Sequence, residues 1–180
     1  MLKKGQKIPN FDCLTMDGIF NIKEIVKNKK TILIFLRFYG CRITQYELKD
    51  FSDYYENLKL KNYNLIIILQ SSIETIENAY KIKKYPFLLI SDLNEKIYKM
   101  FDVKIALNRE ILSSDKDKLK IKKADEIGLK KGLIEGNVLQ LPAEFLINEN
   151  LEIEYSYYGK TSGDILNPIE LIEVINSIEN

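Results

Sequence analysis

The chain of 180 residues has no histidine and only two cysteines. Without histidine there is no Ser-His-Asp triad, no Cys-His protease site and no histidine-ligated metal site. Two cysteines are too few for a four-cysteine zinc or iron–sulfur site within one chain. Any catalysis must therefore use cysteine, lysine, carboxylate, tyrosine or hydroxyl groups, and we expect neither a metal nor another cofactor.

Long apolar runs and linker residues are also scarce. No apolar run reaches the ~18–20 residues of a membrane-spanning helix, and no apolar stretch of a secretory signal follows the basic start. With 8 glycines and 4 prolines, the chain has no Gly- or Pro-rich linker, and it has no solenoid repeat. We therefore expect one domain over residues 1–180, with no membrane partner and a cytoplasmic location.

Positive and negative charges are nearly balanced, because the chain has 27 lysines and arginines and 26 aspartates and glutamates. This balance argues against nucleic acid as a partner. Acidic residues also alternate with the lysines of 116–131, which is typical of a solvated face.

Buried-strand patterns alternate with amphipathic helices along the first hundred residues. Apolar runs at 31–39, 63–69 and 87–90 are typical of strands buried on both faces. Between and after them, apolar residues recur at helical spacing, beginning behind Cys41, Ser71 and Asp92. Ser71 with Glu74 has the spacing of a capping box. The alternation predicts βαβ units and a largely parallel central sheet.

The pattern changes between about residues 104 and 137, which we interpret as an insertion. It contains a charged loop at 113–118 and a predicted short helix at 124–135. A predicted β-hairpin over 141–155 follows, and Asn167 with Pro168 begins the closing helix.

Cys41 is the candidate reactive residue, because it stands where the first buried strand passes into its helix. Free backbone N–H groups and the helix dipole stabilise negative charge there, and the thiolate is the reactive form of cysteine. Arg37 and Arg42 could add positive potential, and the Thr44 hydroxyl could donate a hydrogen bond to the sulfur. A lone cysteine in a helix is otherwise an inert small hydrophobe.

The residues around Cys41 resemble a known family. The segment FLRFYGCRIT at 35–44 is similar to the active-site turn of the peroxiredoxin-like branch of the AhpC/TSA redoxins, within the thioredoxin-like superfamily. Residues 5–11 and 16–18 resemble the N-terminal strands of that family, and 92–103 resembles a later helix. The resemblance covers nearly the whole chain and leaves only the insertion unplaced.

The resemblance implies an α/β thioredoxin-like fold, with a central mixed sheet flanked by helices, N-terminal extension strands and a helical insertion before a cis-Pro hairpin. Leu141-Pro142-Ala143 resembles the cis-proline loop that faces the active-site cysteine. It therefore implies a cis bond before Pro142, although an ordinary strand-start proline is the alternative. Leu141 and Pro142, together with Gly40 and Arg42, become candidate substrate-binding residues.

The sequence departs from the family at Thr44. Dithiol members have Cys-x-x-Cys and peroxiredoxins have Thr-x-x-Cys, whereas this chain has Cys41-Arg42-Ile43-Thr44. One-thiol chemistry remains, in which Cys41, assisted by Arg37 and Thr44, attacks a peroxide or a disulfide. An external thiol or a thioredoxin-type reductant, or Cys13 as a resolving residue, would complete the cycle. We favour a buried structural role for Cys13.

Two functions remain open at this stage. The first is a thiol-dependent peroxidase or thiol-disulfide oxidoreductase, and the second is a catalytically degenerate binding or redox-sensing module. Arg109 is a candidate peroxide-orienting cation or, as we favour, a solvated surface arginine. The oligomeric state is open, with a homodimer as one candidate.

Overall fold

The computed structural model describes residues 1–27 and 29–179. Its strands form one seven-stranded sheet in the order β2-β1-β5-β4-β3-β6-β7. The strands are β1 Asp12–Thr15, β2 Gly18–Asn21, β3 Lys30–Phe35, β4 Tyr63–Leu69, β5 Leu88–Ser91, β6 Ala143–Ile147 and β7 Ile153–Tyr158. The helices are α1 Ile22–Val26, α2 Arg42–Asp53, α3 Tyr55–Leu60, α4 Ile73–Lys83, α5 Lys96–Met100, α6 Asp115–Glu126 and α7 Pro168–Glu179.

The sheet is mixed, as expected. Strands β3, β4 and β5 run parallel at its centre, and antiparallel pairs flank them through β1 with β5 and β6 with β3. The hairpin of β6 and β7 confirms the prediction for residues 141–155. Because the central strands are covered on both faces, their sequences are continuously apolar.

Two hydrophobic clusters cover the two faces of the sheet. On β3, Leu33 and Phe35 belong to one cluster, which also holds Phe101. The alternate residue Ile34 belongs to the other, with side chains of α2, α4 and α7. This alternation places α2 firmly against one face, and so fixes the position of the turn that joins β3 to α2. No helix of the described residues is long and apolar enough to cross a membrane.

The predicted starts of α2, α4 and α7 are correct to within a residue. Ser72, not Ser71, caps α4 by accepting a hydrogen bond from the Thr75 N–H. The Ser71 hydroxyl is engaged elsewhere, since it accepts the Tyr39 N–H at 2.8 Å. The Asn167 side chain caps α7 as expected, by accepting from two N–H groups of its first turn.

The predicted helix at 124–135 is wrong, because the helix of the insertion lies at Asp115–Glu126. Ser114 and Asp117 form a capping box at its start. Gly128, with φ of +75°, follows its end. Residues 129–138 contain no helix or strand.

The predicted cis bond before Pro142 is also wrong, because the described residues contain no cis peptide bond. Pro142 directly precedes β6, so the alternative of an ordinary strand-start proline is correct. The Leu141 N–H donates to the Lys104 carbonyl at 3.1 Å, and the Gly159 N–H donates to the Pro142 carbonyl at 2.9 Å. These bonds hold the backbone of the segment with the usual trans geometry.

Candidate active site

Cys41 is the N-cap residue of α2, with extended backbone angles of φ −76° and ψ 126°. Its side chain makes no capping hydrogen bond, so the sulfur remains available to other partners. The residue is 7% exposed. The sequence therefore placed this thiol correctly at the carboxyl end of a central strand.

Arg37 is the hydrogen-bond partner of the Cys41 sulfur. Its Nη2 donates to Sγ at 2.8 Å, and its Nη1 donates to the Val138 carbonyl at 2.8 Å. The second bond fixes the guanidinium beside the sulfur. The two bonds hold a cationic hydrogen-bond donor directly at the sulfur of Cys41.

Thr44 does not make the expected contact. It is buried in the first turn of α2, and within the described chain its hydroxyl forms no hydrogen bond with the sulfur. Nor does it line the cavity beside Cys41. Arg37, and not Thr44 as predicted, is the hydrogen-bond donor to the sulfur.

A cavity of about 330 Å³ opens beside Cys41. One wall is apolar and includes Phe38, Ile43, Leu112, Ile121, Ile134 and Val138. The basic residues along it are Arg37, Arg42, Arg109 and Lys131. The chain has three arginines, and all three line this cavity.

The two outer arginines differ in their surroundings. Arg42 forms an ion pair with Asp125 on α6, with Nη1 to Oδ1 at 2.6 Å, and this pair neutralises its charge. Arg109 is exposed, as favoured from the sequence, yet it also lines the cavity. The two interpretations of Arg109 are therefore compatible.

Residues 129–138, here called the covering segment, cross the turn that holds Cys41. The Gly132 N–H donates to the Gly40 carbonyl at 2.9 Å, and Gln45 Nε2 donates to the Lys130 carbonyl at 2.9 Å. A Cβ atom on Gly40 would lie 2.0 Å from the Leu133 carbonyl oxygen. Gly40 is thus required for the close approach of two backbones; it also lines the cavity, and its substrate contact stays a prediction.

Glu135 anchors the covering segment to the start of α4. Its Oε1 accepts hydrogen bonds from the Ser72 N–H at 3.1 Å, the Ser72 hydroxyl at 2.7 Å and the Thr75 hydroxyl at 2.8 Å. Burial acts to raise the pKa of Glu135, but these hydrogen bonds outweigh it and hold the pKa below the ordinary value. The insertion that the sequence left unplaced therefore forms much of the cavity wall.

Leu141 and Pro142 are not among the residues that line the cavity beside Cys41. They line a separate cavity of about 560 Å³, together with Ile105 and Tyr158. The Leu141 N–H already donates to a carbonyl of the chain. The role of Leu141 and Pro142 as substrate-binding residues stays a prediction.

Cys13 has the surroundings of a structural thiol. It is fully buried on β1, and burial, with a smaller contribution from Asp12, raises its pKa to about 12. Both cysteines are free. Strands β1 and β3 are three positions apart in the sheet, or roughly 14 Å at ~4.8 Å per strand. A direct bond between Cys13 and Cys41 would require backbone movement, because the Cα atoms must lie within about 7 Å.

A buried charged cluster behind the cavity was not found from the sequence. Glu47 of α2 contacts Lys120 of α6 as an ion pair, and both are buried. Burial raises the pKa of Glu47 to about 7 and that of the neighbouring Glu144 to about 8, although Lys120 and the Leu166 N–H oppose these shifts. Nothing in the sequence around Glu47 or Glu144 indicated that these side chains are buried near Lys120.

Together, a mixed sheet with parallel central strands and a cysteine at the turn from strand to helix define a thioredoxin-like redoxin domain. The AhpC/TSA family profile matches residues 4–156. The chain belongs to the AhpC/TSA family. None of the curated protein sequences gives a significant match.

Solved peroxiredoxins have a similar fold. The yeast mitochondrial 1-Cys peroxiredoxin is 18% identical, with a TM-score of 0.72 over 99% of this chain and 77% of that one. The peroxidoxin BcpB of Mycobacterium tuberculosis is 13% identical, with a TM-score of 0.67 over 99% and 97%. The thiol peroxidase of Chromobacterium violaceum is 15% identical, with a TM-score of 0.70 over 100% and 90%. At these identities the similarity concerns the fold.

Proposed function

We propose that the protein is a peroxiredoxin-like oxidoreductase in which Cys41 is the single catalytic thiol. The observation that carries the proposal is the 2.8 Å hydrogen bond from Arg37 Nη2 to the Cys41 sulfur, at the wall of a cavity. A cation held in this way can orient a polar oxidant beside the sulfur.

The proposed first step is attack of the Cys41 thiolate on a peroxide oxygen. An S–O bond forms and the O–O bond breaks, which oxidises the sulfur by two electrons to a sulfenic acid. The leaving oxygen takes up a proton and departs as water or an alcohol. Arg37 keeps its hydrogen bond to Val138 throughout, so the guanidinium needs no rearrangement to stay at the reacting atoms.

The proposed second step uses a thiol from outside the chain. Thr44 stands where a second cysteine would be, and Cys13 is fully buried on a distant strand. The solved yeast 1-Cys peroxiredoxin is described as resolved through the glutathione and thioredoxin systems, and we propose an external thiol reductant here as well. Exchange of Cys41 with a disulfide is the second activity open to the same thiol.

A sulfenic-acid trap tests the first step. After treatment with hydrogen peroxide, we expect one trap adduct on the parent protein and on Cys13→Ala, and none on Cys41→Ser, as measured by intact mass. Cys13→Ala is the matched control because it removes the other thiol. The proposal fails if Cys41 is oxidised no faster than a free model thiol, or if the adduct persists in Cys41→Ser.

The alternative is a redox-sensing module without turnover. The observation that favours it is the low exposure of Cys41, which is 7%, together with the missing second cysteine. Adding excess small thiol after oxidation distinguishes the two: an oxidoreductase regenerates the free Cys41 thiol repeatedly, whereas a sensor keeps its sulfenic acid. A cytoplasmic location and a homodimer remain predictions.

A further inference from the structure

The cavity beside Cys41 is larger than the peroxide step requires. Its volume is about 330 Å³, whereas one water molecule occupies ~30 Å³ of the liquid. Hydrogen peroxide has only one oxygen atom more than water and would leave most of the cavity empty. The cavity falls within the roughly 300–1,000 Å³ range of small-molecule sites, so it has room for an organic reactant.

The charge of the cavity selects the kind of reactant. Asp117 lines the cavity, but its oxygens are engaged by Ser114, Ser162 and the Gly163 N–H. Arg109 and Lys131 are exposed and, within the described residues, form no ion pair. Asp117 keeps one negative charge, but Arg37, Arg109 and Lys131 outnumber it beside an apolar wall, which is the environment of a small organic anion.

The position of the sulfur favours a small reductant over a protein. Cys41 is 7% exposed, and the covering segment crosses its turn through the bond between Gly132 and Gly40. A protein reductant would have to bring its own sulfur past this segment. A thiol of a few carbon atoms fits the cavity as it stands.

We propose that the reductant of oxidised Cys41 is a low-molecular-weight thiol that carries a carboxylate, with the carboxylate bound by Arg109 and Lys131. The inference rests on the proposed function, because it concerns the second step at the same cysteine. In this proposal Arg109 and Lys131 select the reductant by binding its carboxylate, while Arg37 contacts the reacting sulfur.

The chemistry balances with two molecules of this thiol. The first attacks the sulfenic sulfur, so that an S–S bond forms, the S–O bond breaks and the hydroxyl leaves as water with the proton of the thiol. The second attacks the outer sulfur of this mixed disulfide and releases the Cys41 thiolate with a small disulfide. Two thiols thereby return the two electrons that the peroxide removed.

The test compares three small thiols on the full chain after oxidation by hydrogen peroxide: mercaptoacetate, mercaptoethanol and cysteamine, which are anionic, neutral and cationic. The rate of mixed-disulfide formation at Cys41 is followed by intact mass. Each rate is divided by the rate of the same thiol with a neutral small disulfide, which removes differences in intrinsic reactivity. At low salt we expect the anionic thiol to exceed the cationic one by about five- to tenfold, an advantage that added salt reduces.

Variants at the two cations show whether they cause this preference. Arg109→Gln combined with Lys131→Gln should reduce the preference to within about twofold, whereas Arg109→Lys should keep most of it. Lys130→Gln is the matched control, because this neighbouring lysine is exposed and its side chain does not line the cavity.

Two results would overturn the inference: equal normalised rates for the three thiols, or a preference that survives the double variant. Failure of the proposed function gives a different result, since no sulfenic acid would form at all. In that case Cys41 is first converted to a mixed disulfide with a neutral aromatic thiol. The same three thiols are then compared, so the charge preference is tested independently of the peroxide step.

Discussion

The guanidinium of Arg37 makes two hydrogen bonds with different consequences. The bond to the Val138 carbonyl fixes its position, and the bond to the Cys41 sulfur places its positive charge at the candidate reactive atom. A flexible lysine would have to make both bonds from a single nitrogen, whereas the planar guanidinium makes them from two.

Replacement of Arg37 by glutamine should slow oxidation of Cys41 by about 10- to 100-fold, because a hydrogen bond to a charged group contributes about 1.5–3 kcal/mol and ~1.4 kcal/mol corresponds to a factor of ten. Arg37→Lys should give an intermediate rate. The measurement is the rate of sulfenic-acid formation under pseudo-first-order peroxide, with thermal unfolding to show that the variants are folded. An unchanged rate in Arg37→Gln would show that the hydrogen bond does not assist the reaction.

Among the single residues of the site, the sequence correctly predicted those whose positions follow from local structure. Cys41 and Arg37 stand at the end of a long apolar run, so the strand pattern locates them. Leu141 and Pro142 were placed by their resemblance to family positions, and the Thr44 contact by its position one helical turn beyond Cys41. Their surroundings depend instead on which carbonyls and side chains the rest of this chain brings near, such as the Lys104 carbonyl that engages Leu141.

The covering segment contributes Lys131, Ile134 and Val138 to the wall of the cavity. It has no regular structure of its own, and it is held at Gly40, at Gln45 and by Glu135 on α4. Irregular segments held at several points on a scaffold are common in binding sites. In this protein the attachment points of the covering segment position Val138 and Lys131 at the cavity.

A methyl group at Gly40 should displace the covering segment, since its Cβ would lie 2.0 Å from the Leu133 carbonyl oxygen. We expect Gly40→Ala to lower the free energy of unfolding by about 1–3 kcal/mol and to accelerate alkylation of Cys41. Gly132→Ala serves as a milder comparison, because its Cβ would lie 3.1 Å from the Gly40 Cα. Urea unfolding and iodoacetamide labelling measure the two effects, and equal behaviour of both variants would contradict the close approach at Gly40.

The covering segment was beyond prediction from the sequence for a physical reason. Its residues show no period of a helix or strand, and the bonds that hold it join positions about 60 to 90 residues apart in the chain. Local patterns carry no information on such pairings. The helix of the insertion was misplaced for the same reason, because most apolar residues of 124–135 follow its true end at Glu126.

Across the whole molecule, the buried cluster of Glu47, Lys120 and Glu144 couples stability to pH. The Glu144 Oε2 accepts the Leu166 N–H at 2.8 Å, while its Oε1 is buried without a hydrogen-bond partner among the described residues. Burial raises the pKa of Glu144 to about 8, against ~4.3 for a glutamate in an unfolded chain. Between these values the folded state holds a proton that the unfolded state has lost.

Stability should therefore fall as pH rises from about 5 to about 8 and level off above, because the folded state binds more protons over this range. The limiting slope for one group is ~1.4 kcal/mol per pH unit. Glu144→Gln cannot release a proton and should flatten the decline, as measured by urea unfolding across pH. Glu173→Gln, at an exposed position of α7, is the control. Parallel profiles for the parent protein and Glu144→Gln would show that Glu144 does not hold this proton.

The architecture itself was largely predictable. Three apolar runs determine the parallel strands β3, β4 and β5, and the hairpin follows from the turn between two alternating segments. The trans bond before Pro142 was predicted wrongly, because the family resemblance implied a cis bond and the ordinary geometry of a strand-start proline was given less weight. The buried Glu47 and Glu144 were missed because a single glutamate in a helix or in an apolar strand gives no sequence pattern that predicts its burial.

The gathering of all three arginines around one cavity has a practical consequence. A dicarbonyl reagent that modifies guanidinium groups has no affinity for any particular site, but in this protein every guanidinium it can find borders the same cavity. Such a reagent becomes a site-directed label without an engineered tag. The gain in mass of the intact chain then reports how far the cavity is open, and protection from the label reports its occupation.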